Sequence, residues 1–140
     1  MKESRDQEQA IKHKLAELLK LKAGRNLLNN SIHDLAAQLA ILRLGKDHPG
    51  VSFHYPGAGV GGIDVQGYIQ NSLEVACEVS THDKYKGNRR SNIDEDFERL
   101  YSSQAKHKYL AVAYGTIEQS LISNQRLQSR YSSIQVIRIL

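Results

Sequence analysis

The sequence predicts an α/β protein, a three-layer α/β/α sandwich with a central mixed sheet. Apolar residues recur at helical spacing in the first third of the chain and at strand spacing in the middle, and helices then alternate with strands. Short turns join the middle strands, so we expect an antiparallel meander, after which a helix crosses over to a further strand. The length fits a single domain, residues 1–140.

Two amphipathic helices are predicted at the start of the chain. The first begins at Ser4, because Gln7 completes a capping box there, and it ends at Gly24. The second begins at Ser31 and ends at Gly45. Their apolar stripes are Ile11, Leu15, Leu18 and Leu19 in the first helix, and Ile32, Leu35, Leu39 and Leu42 in the second.

Three strands are predicted in the middle of the chain, separated by turn-forming residues. A glycine-rich turn, PGAGVGG, divides the first strand from the second, and Asn71-Ser72 favours a hairpin between the second and the third. The glycines match GxGxxG, but they lead into a strand and not into a helix, so we expect no nucleotide cofactor. The strands are Val51–Tyr55, Ile63–Ile69 and Leu73–Thr81.

Helices and strands alternate in the last part of the chain. Ser91 followed by Asp94 predicts the start of a helix that runs to residue 107 and carries Gln104 on its apolar stripe. A strongly apolar strand follows, and after it come a short amphipathic helix and a final strand. These three elements are Lys108–Tyr114, 116–128 and Ile134–Leu140.

The composition excludes a membrane-spanning or secreted protein. No apolar stretch approaches the roughly 20 residues that a membrane-spanning helix needs, and the first residues lack the apolar region of a secretory signal. Cys77 is the one cysteine, so no internal disulfide can form. We therefore expect a cytoplasmic protein with no membrane partner.

Positive charge is concentrated in one predicted loop. The chain has 19 Lys and Arg against 15 Asp and Glu, and the net charge of +4 fits a polyanionic partner such as DNA. Segment 82–90 holds four cations, Lys84, Lys86, Arg89 and Arg90, against one acid. The alternative interpretation of this segment is an ordinary solvated loop.

Asp64 and Glu78 stand out because both acids lie within predicted strands that are otherwise apolar. A buried carboxylate is costly unless it is paired or binds a cation. If the second and third strands pair, the two acids lie side by side, and Ser80 shares the face of Glu78. Two converging carboxylates suit Mg²⁺, which can activate water against a phosphodiester. The alternative is two strand-end acids bonded to Lys or Arg.

The motifs GIDV at 62–65 and ACEVS at 76–80, joined by a hairpin, resemble those of the PD-(D/E)xK nuclease superfamily. The restriction-endonuclease-like core of that superfamily has the element order α-β-β-β-α-β, which is similar to the predicted order of residues 4–114. Its members include restriction endonucleases, Holliday-junction resolvases and DNA-repair nucleases. The resemblance implies a metal-dependent endonuclease in which Asp64 and Glu78 hold Mg²⁺, with Mn²⁺ as a substitute.

The resemblance also implies residues outside these motifs. Many members place a metal-binding Glu on the first helix, for which Glu8 is the candidate and Glu17 a weaker one. Several branches carry a Gln on the helix after the third strand, and Gln104 is similar to it. His82, which follows Glu78 closely, is a further candidate for a general base or a ligand.

The chain departs from the superfamily at its motif lysine. Ser80 stands in that position, and a serine hydroxyl can position water but brings no positive charge. Lys84 is the first candidate for a relocated lysine because it lies nearest after the third strand. The alternatives are Lys86, Lys106 and Lys108.

The sequence therefore predicts a Mg²⁺-dependent DNA endonuclease of restriction, repair or junction-resolving type. Asp64, Glu78, Ser80 and Lys84 would carry the reaction, and the four cations of the basic segment would contact DNA phosphates. Helix 31–44 has an almost unbroken apolar surface, so it is a possible dimerisation element of a homodimer. The alternative is a catalytically inactive DNA-binding or assembly domain on the same fold.

Overall fold

A five-stranded sheet organises the computed structural model, which describes residues 2–21 and 28–140. Two helices precede the first three strands, and helices and strands then alternate. The elements are α1 (Lys2–Leu21), α2 (Asn29–Asp47), β1 (Ser52–His54), β2 (Val65–Ile69), β3 (Ser72–Ser80), α3 (Gly87–Ser102), β4 (His107–Val112), α4 (Gly115–Ile122), α5 (Gln125–Arg130) and β5 (Ile134–Arg138).

The sheet is mixed, and its strands lie in chain order from β1 to β5. β1, β2 and β3 form an antiparallel meander, whereas β3, β4 and β5 are parallel. Val65 pairs with Cys77 across the hairpin, and Ser80 at the end of β3 pairs with Val112 of β4. The predicted meander and crossover are therefore confirmed, as is the α/β class with a mixed sheet.

Helices cover both faces of the sheet because the strands place apolar side chains on alternate faces. On one face α1 and α2 pack over Val75, Cys77 and Val79 of β3. On the other face α3, α4 and α5 pack over Ala76 of β3 and Leu110 of β4. None of the described helices is both long enough and apolar enough to cross a membrane.

The apolar surface of α2 is buried inside this chain, between α1 and the sheet. The contact explains why the helix is apolar on several sides, since a helix packed on two sides needs a wide apolar face. Dimerisation through helix 31–44 stays a prediction, and its motivating residues already have partners. The buried residues are Ile32, Ala36, Ala37, Leu39, Ala40 and Leu44.

Both of the first helices begin earlier than the sequence predicts. Ser4 is not an N-cap, because the chain is already helical at Lys2, and the predicted end at Gly24 lies outside the described residues. α2 begins at Asn29 and passes through Gly45 to Asp47. A glycine inside a helix costs about 1 kcal/mol relative to alanine, which the burial of apolar residues along α2 offsets.

The predicted hairpin and last helices also need correction. The turn residues are Gln70 and Asn71, with Gln70 at φ 55°, whereas Ser72 already pairs within the sheet. The predicted helix 116–128 is two helices, α4 and α5. The break has a local cause, because the Asn124 side chain accepts a hydrogen bond from the Leu127 N–H and caps α5.

α3 is shifted towards the N-terminus relative to its predicted range. It begins at Gly87 and ends at Ser102, so Arg89 and Arg90 lie in its first turn and not in a loop. Gln104 follows the helix and is exposed, so its predicted place on the helical stripe is wrong. β2 begins at Val65, and Asp64 therefore directly precedes the strand instead of lying within it.

Candidate functional site

A polar pocket of about 280 Å³ lies at the carboxyl end of β3. The start of α2, the glycine-rich segment, the end of β3 and the inner face of α3 form its walls. His33, Asp64, Ser80 and Asp96 line it, together with His82 from the loop after β3. In open α/β sheets, the carboxyl ends of parallel strands are the usual place for a ligand.

Asp64 and Glu78 meet in this region, as the sequence predicts. The pairing of Val65 with Cys77 puts Asp64 opposite Glu78 across the hairpin. The Asp64 N–H donates to Glu78 Oε2 at 3.4 Å, and the Val79 N–H donates to Asp64 Oδ2 at 2.9 Å. Glu78 is 1% exposed, so its carboxyl group is withdrawn from water and depends on its protein partners.

The two carboxyl groups differ in pKa because they are buried next to each other. Burial and the neighbouring Asp64 raise the pKa of Glu78 to about 9, against the effect of Arg99. Burial alone would raise the pKa of Asp64, but hydrogen bonds with His33, Glu78 and the Val79 N–H outweigh it, so this pKa is lowered. Two carboxyl groups this close do not both lose their protons readily. Either one of them keeps its proton, or the pair binds another cation.

α3 contributes two further charged side chains to the site. Arg99 donates through Nε to Glu78 Oε1 at 2.7 Å, and its guanidinium also contacts Asp96. Burial raises the pKa of Asp96 to about 7, although the charge of Arg99 opposes the shift. Two carboxyl groups, those of Glu78 and Asp96, thus share the guanidinium of Arg99.

α2 contributes an oriented histidine. The Tyr55 hydroxyl donates its one proton to Asp34 Oδ1, so its oxygen accepts from His33 Nδ1 at 2.9 Å. The other ring nitrogen, Nε2, lies 3.4 Å from Asp64 Oδ2. Burial lowers the pKa of His33, but its contacts with Asp64 raise it more, and the net pKa shift is upward. His33 is therefore protonated more readily than a free histidine, and its ring faces Asp64.

Glu8, the predicted third metal ligand, lies elsewhere. It forms ion pairs with Lys46 at 2.7 Å and with Lys12 at 3.3 Å. Lys46 and His33 are thirteen positions apart in α2, which places them about 20 Å apart along the helix. The structure therefore does not bring Glu8 to Asp64, and the weaker candidate Glu17 pairs with His13 on the exposed side of α1.

The predicted lysines do not line the pocket. Lys84 is exposed in the loop before α3, and no lysine of the described ranges contributes to the lining. Lys106 pairs with Glu74 at 3.0 Å, and Lys108 donates to the Tyr101 carbonyl. The positive charge beside Glu78 comes from Arg99.

The basic segment is only partly available to phosphates. Arg89 lies 3.6 Å from Asp83, and Arg90 lies 3.9 Å from Asp94. Lys86 is exposed immediately before α3, like Lys84 in the same loop. Arg89 and Arg90 would have to exchange these partners to contact DNA.

Sequence reasoning missed three residues of the site: His33, Asp96 and Arg99. Asp96 could have been found, because it lies three residues after Ile93 and one before Phe97, on the apolar stripe of α3. An acid on an apolar stripe is the same signal that singled out Asp64 and Glu78. His33 likewise shares the helical face of buried Ala37.

The protein ligands for a metal are few. Within residues 2–21 and 28–140, no group of three or more His, Cys, Asp or Glu side chains is arranged to hold a metal ion. The donor set is therefore the Asp64–Glu78 pair. Comparisons with protein-family models, with curated proteins and with solved structures find no match for this chain.

Proposed function

We propose that this chain is a metal-dependent DNA endonuclease with a restriction-endonuclease-like core of the PD-(D/E)xK type. The observation that carries the proposal is the meeting of Asp64 and Glu78 across the β2–β3 hairpin, at the carboxyl end of β3. The order of an antiparallel hairpin, a crossover helix and a parallel strand supports it. The reaction is hydrolysis of a phosphodiester bond.

The Asp64–Glu78 pair, of which Asp64 lines the pocket, fits Mg²⁺, with Mn²⁺ as a substitute. Mg²⁺ commonly binds through one or two carboxylates and completes its shell with water and substrate phosphate, so a third protein ligand is not required. The raised pKa of Glu78, caused by burial and by Asp64, indicates that the pair holds a proton where a cation can bind. A bound metal would polarise the attacking water and stabilise charge on the phosphate.

Arg99 takes the role that the missing motif lysine has in the superfamily. Its Nε lies 2.7 Å from Glu78, so its charge stands beside the reacting phosphate in this proposal. Ser80 lines the pocket on the same face of β3 as Glu78, and its hydroxyl holds and orients water. Lys84 and Lys86, both exposed, contact the DNA backbone further along.

The second candidate function is a catalytically inactive DNA-binding or assembly domain. The Glu78–Arg99 contact favours it, because an arginine that neutralises a buried acid is also a structural ion pair. In that case DNA binding depends on salt but not on Mg²⁺. A domain that only assembles with other proteins has no affinity for DNA at physiological salt.

Asp64→Asn tests the proposal with a change of one functional group. Supercoiled plasmid and branched DNA are incubated with the wild type and the variant in Mg²⁺, Mn²⁺ and EDTA. We expect metal-dependent nicking by the wild type and a loss of more than about 100-fold in the variant, beyond the 10–100-fold typical of residues that only support a metal ligand. DNA binding in EDTA should be retained.

Asp94→Asn is the matched control. Asp94 is likewise an acid, but it lies on the outer side of α3, where its Oδ2 is 3.3 Å from Arg126 Nη2. The Asp94→Asn protein should cleave like the wild type. Cleavage that persists in Asp64→Asn, or a wild type that binds DNA without ever cutting it, rejects the nuclease proposal, and the latter result favours the binding domain.

A further inference from the structure

A second groove adjoins the candidate site on the α3 side of the sheet. It has a volume of about 600 Å³, within the range of about 300–1,000 Å³ for small-molecule pockets. Ile63 and Leu73 form one wall, and Glu98, Arg99 and Gln104, in and beyond the last turns of α3, form the other. No function described so far uses this groove.

The groove lies beside the acid pair. Ile63 directly precedes Asp64 in the chain, and Arg99 both lines the groove and contacts Glu78 at 2.7 Å. In the proposed nuclease, a phosphate bound through the metal at Asp64 and Glu78 would therefore have one neighbouring nucleotide near this groove. The other neighbour lies towards the polar pocket of His33, Ser80 and Asp96.

We propose that this groove, lined by Ile63, Leu73, Arg99 and Gln104, binds one unpaired base of the DNA strand next to the phosphate that is cut. The proposal rests on the nuclease function and names its substrate class: DNA with an unpaired nucleotide beside the scissile phosphate.

The chemistry of the groove matches a nucleobase. Ile63 and Leu73 are half-buried apolar side chains, which suit the face of a base, and a guanidinium plane such as that of Arg99 also stacks on bases. The exposed Gln104 amide offers a donor and an acceptor to a base edge. The smaller pocket on the other flank is polar, which suits a sugar and phosphate.

The groove excludes a paired base. Within a duplex both faces of a base are stacked and its edge is hydrogen-bonded, so neither the apolar wall nor Gln104 can reach them. A base must leave the stack before it enters a protein pocket, and this costs least where the base is already unpaired. The groove therefore discriminates between bulged or branched DNA and a continuous duplex.

Binding measured without metal tests the groove independently of catalysis. A labelled duplex with one unpaired nucleotide and the matching fully paired duplex are titrated with the protein in EDTA, with fluorescence anisotropy as the readout. We expect the bulged DNA to bind at least about tenfold more tightly, since one stacked base commonly contributes that much or more. The preference should disappear in Leu73→Ala and in Gln104→Ala.

Gln119→Ala is the matched control, because Gln119 is an exposed glutamine on α4, away from the groove. It should keep the preference, and all three variants should bind the paired duplex equally. Equal binding of the two DNAs by the wild type, or a preference that survives both groove variants, overturns the proposal. A preference for bulged DNA with no cleavage in Mg²⁺ instead retains the base-binding groove and rejects the nuclease function.

Discussion

α3 presents one acid, Asp96, to the sheet and two, Asp94 and Glu98, to α5, and the two environments are opposite in character. On the inner face, Asp96 and Glu78 both contact Arg99, and burial raises the pKa of Asp96. On the outer face, Glu98 contacts Arg130 and accepts a hydrogen bond from Tyr131, which lowers its pKa.

The outer acids are neutralised, whereas the inner acids are in excess. Asp94 has Arg90 and Arg126 as partners, and Tyr85 donates to it as well. The inner face has three carboxyl groups and two basic side chains, Arg99 and His33, and burial and Asp64 raise the pKa of Glu78 to about 9. Stability alone favours the balanced arrangement, since an uncompensated buried acid is costly. The inner excess is thus the feature that needs a functional explanation.

The largest expected difference between the two faces is in cleavage. Arg99→Ala removes the positive charge beside Glu78, and we expect cleavage to fall by about 10²–10³-fold, the usual cost of removing one group that stabilises developing charge. Arg126→Ala removes an arginine of the outer face and should leave cleavage unchanged. Initial rates of plasmid nicking in Mg²⁺ measure both.

Arg99→Lys sharpens this test because it keeps the charge but loses the planar contact with Glu78 and Asp96. It should retain more activity than Arg99→Ala. If Arg99→Ala cuts as fast as the wild type, the charge of Arg99 has no part in the reaction, and the inner face resembles the outer one in function.

The next effect concerns stability and pH. The pKa of Asp96 is raised by burial from 3.8 to about 7, so the unfolded chain loses this proton at lower pH than the folded chain does. The contribution of protonated Asp96 to the free energy of unfolding is therefore full below about pH 4 and is lost as the pH rises to about 7. Between pH 4.5 and pH 7.5, the free energy of unfolding should fall less in Asp96→Asn than in the wild type, by about 1 kcal/mol or more.

Urea unfolding at the two pH values measures that difference. Asp94→Asn, on the outer face of the same helix, should keep the wild-type dependence on pH. An Asp96→Asn protein that loses as much stability as the wild type over this range shows that Asp96 is ionised in the folded chain, and the contrast between the two faces then fails.

The smallest effect is expected for stability on the outer face. Arg126 is 49% exposed and lies 3.3 Å from Asp94, and exposed ion pairs contribute about 0–1 kcal/mol. Arg126→Ala should therefore lower the free energy of unfolding by no more than about 1 kcal/mol, and 0.5 M NaCl should reduce the difference further. A decrease of several kcal/mol in the free energy of unfolding would contradict the view that the ion pairs between α3 and α5 are solvent-exposed and weak.

The hairpin half of the site could be predicted from the sequence, because strand geometry leaves little choice. Two strands joined by a short turn pair with each other, so Asp64 and Glu78 were expected to lie near each other. Their direct opposition also needs the register shift between Gly67 and Tyr68, because the register at the turn, which pairs Ile69 with Ser72, would place Asp64 opposite Cys77. The prediction of a lysine near Asp64 and Glu78 was wrong, because it relied on a loop. Lys84 follows β3 in an exposed loop, and the position of a loop side chain is not fixed by any regular spacing.

The helical half was harder to predict, because the pairing of a helix with a sheet depends on tertiary packing. The sequence places Asp96 and Arg99 near the apolar stripe of α3, but not against Glu78. The predicted start at Ser91 relied on a capping pattern, whereas α3 begins at Gly87 with no side-chain cap. Packing of Ile93 and Phe97 on the sheet stabilises the helix instead.

The chain order of the strands has a consequence for how the protein is made. Every strand lies beside its neighbour in sequence, so a chain that emerges from the ribosome can add each strand to an edge that already exists. The β2–β3 hairpin pairs residues that are close in sequence and forms fast, whereas parallel pairs such as Val75 with His107 join distant residues and form later. The Asp64–Glu78 hairpin is synthesised before α3, so the acids meet first and Arg99 reaches them later.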